Sequence, residues 1–177
     1  MMRRRWLQLT FAGVGVIAVT AVIEPLPRLM WNATASVPTG LYAIRPAADH
    51  RLGELVAVAP PEPLASFLAR GGYLPKGVPL LKHVAAMPGQ RVCRMGAAVT
   101  VDGRRIGLAR ARDRRGRILP AWTGCRAIAA GELFLMNPDA PDSLDGRYFG
   151  PLPATSVLGR ATPLWTAPPR PTRAPAG

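Results

Sequence analysis

The stretch VPLLKHVAAMPG, residues 78–89, decides the fold that we expect for this chain. Pro79 precedes its apolar run, and Pro88 and Gly89 follow it, so turn residues frame a segment of the length of a strand. Similar short apolar runs bounded by turn residues recur along the chain. These are LYAI, LVAVA, AAVTVDG and ELFLM. The pattern predicts a mainly β protein.

Lys82 is the unusual residue of this strand. Side chains alternate between the two faces of a strand, so Leu80, Lys82 and Val84 share one face, and the lysine lies among apolar neighbours. Burial disfavours the ammonium, lowers its pKa and makes a lysine an effective general base near neutral pH. Arginine cannot replace it in this role, because it keeps its proton. The alternative is a lysine whose amine extends from the strand edge to water.

Ser36 is the candidate nucleophile. It lies in the small, mildly polar stretch NATASVPTGLY, residues 32–42, where Thr34 offers a second hydroxyl. A serine hydroxyl attacks well only when a base removes its proton, and a neutral lysine is a known partner. The alternative is a loop serine that caps a turn. His50 and His83 are expected to be surface or hydrogen-bonded residues rather than the base.

A third informative stretch is NPDAPDSLDGRYFGPLP, residues 137–153. It combines Asp, Ser and Arg in a turn-rich segment after ELFLM. A carboxylate such as Asp145 could hold Arg147 and organise the site at one remove, since a full negative charge beside Lys82 would raise the pKa of the amine. The alternative is a plain loop with Asx turns. We find no metal-ligand cluster and no glycine-rich nucleotide loop, so no metal or cofactor is expected.

The composition fits one domain with a small insertion. The chain has 177 residues, 49% of them hydrophobic, which excludes a disordered protein, and its 20 Pro and 18 Gly favour short strands over a helical bundle. Residues 63–72 predict a short helix that ends at Gly71. Residues 99–106 predict a hairpin that turns at Asp102 and Gly103.

The net charge of +13 leaves several interpretations open, namely nucleic acid, an anionic membrane surface, or an arginine-rich genome bias. Of the 23 Lys and Arg residues, only Lys76 and Lys82 are lysines. Residues 104–117 are dense in arginine and predict an exposed insertion loop. They lack interleaved aromatic residues, so nucleic acid is not expected as a partner.

The N-terminal segment predicts a membrane anchor. Residues 1–5 are basic, and residues 6–23 are uncharged and long enough, at about 27 Å, to cross the hydrocarbon layer. The positive-inside rule keeps the basic start in the cytoplasm and places the rest of the chain in the periplasm. The alternative is a cleavable signal peptide, because Ala33, Thr34 and Ala35 are similar to an A-x-A cleavage site.

Export also bears on the two cysteines. In an oxidising compartment Cys93 and Cys125 are expected to form a disulfide, whereas in the cytoplasm they would be ordinary thiols. The expected organisation is a catalytic domain over residues 24–162, an inserted arginine-rich region over residues 94–124 and a Pro/Arg-rich, disordered or extended tail over residues 163–177.

Three motifs in this order after an anchor resemble the type I signal peptidase family, and more narrowly its conjugative-transfer, TraF-type branch. They are SVPTGLY (residues 36–42), LLKHVAAMPGQRV (residues 80–92) and the stretch over residues 137–153. Val37 stands where the leader peptidases usually have Met, and Asn137-Pro138 stands where they usually have Gly-Asp, which favours the transfer-type branch.

The resemblance implies a β-rich catalytic core and a set of roles. Ser36 matches the nucleophile and Lys82 the general base, while Thr34 matches a contributor to the oxyanion hole. In the last motif Ser143 helps to hold the lysine. Asp145, proposed as catalytic in the transfer branch, pairs with Arg147.

The implied function is a Ser/Lys endopeptidase at the inner membrane that matures, and in some relatives cyclises, a pilin-like precursor for a conjugation apparatus. The alternatives are a general type I signal peptidase and a non-catalytic anchored scaffold domain of a secretion or conjugation apparatus.

Overall fold

A computed structural model of the chain describes residues 4–6, 8, 10–15 and 28–168. The described residues before residue 28 are helical. Nowhere in the described part of the chain is a helix both long enough and apolar enough to cross a membrane. The anchor expected over residues 6–23 lies largely outside the described residues, as do residues 169–177.

Residues 28–168 form two antiparallel sheets and two short helices. The strands are β1 (Leu29–Asn32), β2 (Gly40–Arg45), β3 (Leu55–Val58), β4 (Leu80–Ala86), β5 (Arg91–Met95), β6 (Ala98–Val101), β7 (Arg104–Leu108), β8 (Gly124–Ala127), β9 (Glu132–Met136), β10 (Leu152–Pro153) and β11 (Val157–Thr166). The helices are α1 (Leu64–Arg70) and α2 (Gly146–Phe149), and a 3-10 turn covers Ala154–Ser156.

The larger sheet has seven strands in the order β1-β2-β11-β3-β4-β9-β10. The VPLLKHVAAMPG stretch forms β4, which pairs with β3 on one side and with β9 on the other. Lys82 lies opposite Val56 of β3. The candidate base therefore belongs to an interior strand of the sheet.

Both faces of this sheet are covered by apolar side chains, which explains why its inner strands have nearly continuous apolar sequences. One face carries Val56, Val58, Val84, Leu133 and Leu135. The other face carries Val37, Tyr42, Ile44, Ala57, Leu81 and Ala161. Burying a side chain of this size stabilises the fold by about 1.5–3 kcal/mol.

The smaller sheet, in the order β7-β6-β5-β8, contains the segment that the sequence predicts to be inserted. It spans residues 91–127, slightly more than the predicted 94–124. The predicted hairpin is confirmed, because Asp102 and Gly103 turn with φ values of 49° and 81° between β6 and β7. The two sheets share an apolar core that includes Ala86, Val92, Val99, Phe134 and Met136.

The disulfide joins Cys93 of β5 to Cys125 of β8, which are directly opposite each other in the ladder. It closes the arginine-rich segment, as expected. Residues 104–117 are less loop-like than the sequence predicts. Their first part is β7, and Asp113 accepts hydrogen bonds from Tyr73 and from the Arg117 side chain. The Arg117 guanidinium also lies 4.2 Å from the centre of the Tyr73 ring.

The mainly β class and the helix that ends at Gly71 are confirmed. The last strand continues beyond residue 163, where the sequence analysis places the start of the tail. Trp165 and Thr166 still pair with Leu41 and Gly40 of β2, so β11 extends into the segment assigned to the tail. Backbone pairing to a neighbouring strand therefore outweighs the proline-rich composition there.

Candidate active site

Lys82 is buried on the face of β4 that the alternation predicts. Its side chain shares this face with Leu80 and Val84, and the residue is 4% exposed. Burial lowers the pKa of the amine from 10.5 to about 8. Asp145 opposes this shift and Arg147 adds to it. The amine thus titrates close to neutral pH, as a general base must.

Ser143 is the hydrogen-bond partner of this amine. The Lys82 Nζ donates to Ser143 Oγ at 2.9 Å, and both groups are buried. Ser143 lies between β9 and α2, where its backbone N–H donates to the carbonyl of Ala140. The third motif therefore contacts the Lys82 amine through a neutral hydroxyl, which holds the amine without adding a charge.

Asp145 and Arg147 form a buried ion pair behind Ser143. Arg147 Nε donates to Asp145 Oδ1 at 2.9 Å, and Arg147 Nη2 donates to Oδ2 at 2.8 Å. The carboxylate also accepts the backbone N–H groups of Arg147 and Asn137. Its oxygens are thus occupied by N–H donors other than Lys82. The ion pair holds the motif together, and it influences the Lys82 amine by electrostatic interaction without a hydrogen bond.

Gly146 allows the motif to lie directly on β9. A Cβ atom at this position would lie 2.7 Å from the Phe134 ring and 2.9 Å from the Leu135 carbonyl oxygen, closer than carbon atoms tolerate. Packing at the start of α2 therefore requires glycine at position 146. The side chain of Asp145 caps this helix through the backbone N–H of Arg147.

Asn137, a residue outside the predicted site, binds the backbone on both sides of Lys82. Its Nδ2 donates to the Leu81 carbonyl at 3.0 Å, and its Oδ1 accepts the His83 backbone N–H at 3.2 Å. The His83 ring nitrogen Nδ1 lies 3.0 Å from the same oxygen. His83 occupies the opposite face of β4 from Lys82, as predicted.

The Ser36 loop connects β1 to β2 and is organised by Asn32. The buried side chain of Asn32 donates from Nδ2 to the carbonyls of Thr34, Val37 and Pro38 at 2.9, 3.2 and 3.0 Å. Ser36 lies within this set of contacts and is half-buried. One side chain therefore fixes the backbone on both sides of the candidate nucleophile.

Thr34, the expected oxyanion donor, is exposed and bonded to the same asparagine. Its hydroxyl donates to Asn32 Oδ1 at 2.7 Å, and its backbone N–H reaches the same oxygen at 3.1 Å. To stabilise an oxyanion, the hydroxyl has to turn away from Asn32, while the N–H can remain bonded.

The structure brings Lys82, Ser143, Asp145 and Arg147 together as a hydrogen-bonded and ion-paired group. Within residues 28–168 no hydrogen bond joins Ser36 to Lys82. The two parts are connected through one apolar cluster, which contains both Val37, next to Ser36, and Leu81, next to Lys82.

An exposed aromatic pair lies on the strands beside the Ser36 loop. Trp31 of β1 and Trp165 of β11 are 60% and 62% exposed, and their rings stack with centroids 5.8 Å apart. Both residues pair with Leu41 of β2, so they occupy the same region of the sheet. Leu29 and Leu164 are exposed nearby along the same two strands.

Comparison with known proteins decides the family. Residues 3–165 match the family described as "Signal peptidase, peptidase S26". The chain belongs to the signal peptidase family. Membership supports a serine peptidase in general, and it covers all three motifs that carried the resemblance.

The relatives lie in the transfer branch of this signal peptidase family. "Conjugal transfer protein TraF" of Agrobacterium tumefaciens (strain 15955) is 39% identical over 178 residues, which cover 93% of this chain and 97% of the relative. "Plasmid transfer protein TraF" of Escherichia coli is 31% identical over 165 residues, which cover 87% and 92%. The resemblance to the TraF-type branch is therefore confirmed.

A crystal structure of a signal peptidase I from Enterococcus faecalis V583 is similar with 17% identity and a TM-score of 0.39, covering 64% of this chain and 97% of that one. This structural similarity is too low to assign roles to the site residues.

The sequence analysis did not predict a structural role for three polar residues of this chain. Asn32 and Asn137 are the only asparagines in the chain, and that rarity was a usable signal. Arg94 is buried and donates to the Arg147 carbonyl at 2.6 Å, which ties the insertion to the third motif. Nothing distinguishes Arg94 from the chain's many other arginines before the sheets are assembled.

Proposed function

We propose that this chain is a membrane-anchored serine endopeptidase that uses Ser36 as nucleophile and Lys82 as general base to process an exported, pilin-like precursor in conjugative transfer. The observation that carries the proposal is the buried Lys82 amine, which donates to Ser143 within the family's last motif. An apolar protein interior has no structural need for a lysine, since burying the charge is costly.

The lowered pKa gives this amine its chemical value. With a pKa of about 8, roughly a tenth of the Lys82 amines are neutral at pH 7, against about 1 in 2,500 for a free lysine. The neutral form has a lone pair that can accept the Ser36 proton. Its conjugate acid is then acidic enough to protonate a leaving amine.

In the proposed reaction, Ser36 Oγ attacks the scissile carbonyl carbon while its proton passes to Lys82 Nζ. The tetrahedral intermediate collapses, the C–N bond breaks, and the Lys82 ammonium protonates the departing amine. The ester left on Ser36 is attacked by water or by the precursor's own amino terminus. That nucleophile gives its proton to Lys82, and Ser36 recovers its hydroxyl proton as the ester bond breaks.

The Ser36 backbone N–H and the Thr34 hydroxyl are proposed to stabilise the oxyanion. Losing one donor of this kind typically costs about 3–4 kcal/mol of transition-state stabilisation. The Ser36 loop also has to bring its hydroxyl to the Lys82 amine. Catalytic hydrogen bonds are often long before substrate binds and tighten in the complex.

Asp145 is proposed as a positioning residue rather than a second base. Its carboxylate is saturated by Arg147 and Asn137, and its pairing with Arg147 keeps the net charge beside Lys82 near zero. An unpaired carboxylate here would raise the pKa of Lys82 and reduce the neutral fraction of the base.

A membrane location is supported by the apolar segment over residues 6–23 and by the exposed Trp31 and Trp165 pair. Tryptophan favours the interface between lipid and water, and arginines outside the membrane favour anionic headgroups. The proposed topology is single-pass in the inner membrane, with the amino terminus cytoplasmic and the catalytic domain in the periplasm. A precursor held by its own membrane segment would then present its cleavage site close to Ser36.

The conjugative role is supported by the relatives, whose names are conjugal and plasmid transfer proteins, and by their match over nearly their full lengths. The pilin-like substrate is what the resemblance to the TraF-type branch implies. A conjugation or type IV secretion apparatus is the proposed partner besides the precursor and the inner membrane.

The test is co-expression of the full chain with a pilin-like precursor from a conjugative plasmid, and separately with an ordinary exported precursor. The wild type should shorten the pilin-like precursor, whereas Ser36→Ala should leave it intact, and the control Ser66→Ala on α1 should process it normally. Mass spectrometry of the product distinguishes hydrolysis from cyclisation, because a cyclic product is lighter by one water.

Processing of the ordinary precursor alone would favour a general signal peptidase. Normal processing by Ser36→Ala would refute the proposed nucleophile. Retention of transfer function without any processing would favour the scaffold role.

A further inference from the structure

The backbone ladder between β4 and β9 stops beside Lys82. The ladder pairs His83 with Met136, and β9 ends there. Asn137 follows, and Pro138 comes next, which has no N–H to donate. Continued backbone pairing would otherwise be expected opposite Lys82.

The Asn137 carboxamide replaces the missing peptide group. A carboxamide has the same donor and acceptor as a backbone peptide unit. Asn137 offers its N–H to the Leu81 carbonyl and its oxygen to the His83 N–H. These are the two backbone groups that flank Lys82. The side chain therefore closes the ladder at the residue that carries the amine.

The backbone of Asn137 is fixed in turn by the buried ion pair. Its N–H donates to Asp145 Oδ2 at 3.1 Å, and its carbonyl accepts from Arg147 Nη2 at 3.3 Å. A continuous chain of buried hydrogen bonds thus runs from the ion pair, through Asn137, to the strand of the base. Ser143, which binds the amine directly, lies in the same motif.

We propose that Asn137 is a positioning residue for the general base, which holds the β4 backbone so that the Lys82 amine stays buried and directed at Ser143. This inference rests on the proposed function. Asn137 acts through the backbone and makes no direct contact with the amine. Without it, β4 can separate from the end of β9, and water can reach Lys82.

The charged groups that influence Lys82 in the present packing are Asp145 and Arg147. His83 lies on the opposite face of β4 and contacts Asn137. Removing the asparagine should therefore alter the titration of Lys82 through hydration of the amine. Because hydration favours the ammonium, the pKa of Lys82 should rise towards the free value.

The test compares Asn137→Ala with Gln90→Ala in the full chain. Gln90 is a matched control, because its carboxamide accepts the backbone N–H of Met87 just beyond the other end of β4. Asn137→Ala should lower kcat by about 10- to 100-fold with KM changed less than about two-fold, since misplacing a catalytic group has this effect. The acid limb of the pH–rate profile should move to higher pH. Gln90→Ala should leave both unchanged.

Asn137→Asp keeps the acceptor for His83 and loses the donor to Leu81, so it tests the same contacts with little change in shape. It should also lower kcat. Its new carboxylate raises the pKa of Lys82 by charge alone, so the shift of the acid limb is measured in Asn137→Ala. Wild-type kcat and pH profile in either folded variant would overturn the proposal.

A readout independent of activity separates this inference from the proposed function. In protein labelled with ¹³C at the lysine side chains, Lys82 and Lys76 give the two lysine signals of the chain. The Lys82 signal should titrate at higher pH in Asn137→Ala, which adds no charge, than in the wild type, whether or not the enzyme assay succeeds. Unchanged titration would overturn the positioning role, whereas normal processing by Ser36→Ala would refute only the peptidase mechanism.

Discussion

The Ser36 loop and the Lys82 strand are held in different ways. Lys82 sits in an interior strand with β3 on one side and β9 on the other, and its amine is buried. Ser36 lies in a half-buried loop between two strands, where the side chain of Asn32 supplies the backbone contacts. The proposed base depends on burial for its reactivity and so requires the core. The proposed nucleophile has to meet a substrate and so requires an accessible loop.

Each half of the proposed dyad nevertheless depends on one asparagine, and the chain has no others. Asn32 binds three carbonyls around Ser36, whereas Asn137 binds the backbone on both sides of Lys82. A side-chain amide is used where regular pairing ends but a fixed backbone is still needed. The two asparagines differ in what they support, because Asn32 holds a half-buried loop and Asn137 holds a sheet ladder.

The largest effect should come from Lys82→Arg. Arginine keeps the positive charge but does not lose its proton, so it cannot accept one from Ser36. Processing should fall by about 10⁴-fold, at the upper end of what a general base contributes. The matched control is Lys76→Arg, because Lys76 is exposed and pairs only with Glu62 among the described residues. Cleavage kinetics on a pilin-like precursor measure the activity of both variants. Substantial activity in Lys82→Arg would show that a positive charge at this position is enough for cleavage.

A second prediction concerns the stability cost of the buried amine. Between pH 8 and 10.5 the unfolded chain keeps a proton on Lys82 that the folded chain has released, so wild-type stability rises with pH in this window. Lys82→Met lacks this titration. The free energy of unfolding of Lys82→Met minus that of the wild type should therefore be about 3 kcal/mol larger below pH 8 than above pH 10.5.

Urea unfolding of the two full-length proteins at pH 7 and at pH 10.5 measures this difference. A stability difference that does not change with pH would mean that Lys82 has the same pKa folded and unfolded.

The smallest effect should come from the loop, through Asn32→Ala. This substitution removes the amide that donates to the three loop carbonyls, and the Ser36 hydroxyl should then sample many orientations. We expect kcat to fall by about 100-fold. The titration of Lys82 should stay unchanged, because the strand does not depend on Asn32. A shifted Lys82 titration in this variant would show that the two halves are coupled more tightly than their separate contacts indicate.

Local patterns in the sequence predicted much of this structure. The face of β4 that carries Lys82, the turn at Asp102 and Gly103, and the helix that ends at Gly71 follow from alternation, turn chemistry and capping within a few residues. Resemblance rather than a local pattern pointed to Ser143, whose hydroxyl accepts a hydrogen bond from Lys82 Nζ.

Features that depend on distant pairing could not be predicted in this way. The insertion of β11 between β2 and β3, and its extension to Thr166, follow from backbone pairing between remote segments. The roles of Asn137 and Arg94 likewise appear only once the third motif, β4 and the insertion are packed together. A local pattern gives the face of a strand but does not specify which strand lies beside it.

The most direct measurement is the titration of Lys82 in the full chain, followed through the ¹³C signals of the two lysines and assigned with Lys76→Arg. We predict a pKa of about 8 for Lys82, with a signal that changes between pH 7 and pH 9. A Lys82 that titrates near 10.4, the value of a free lysine, would contradict a buried general base and with it the proposed mechanism.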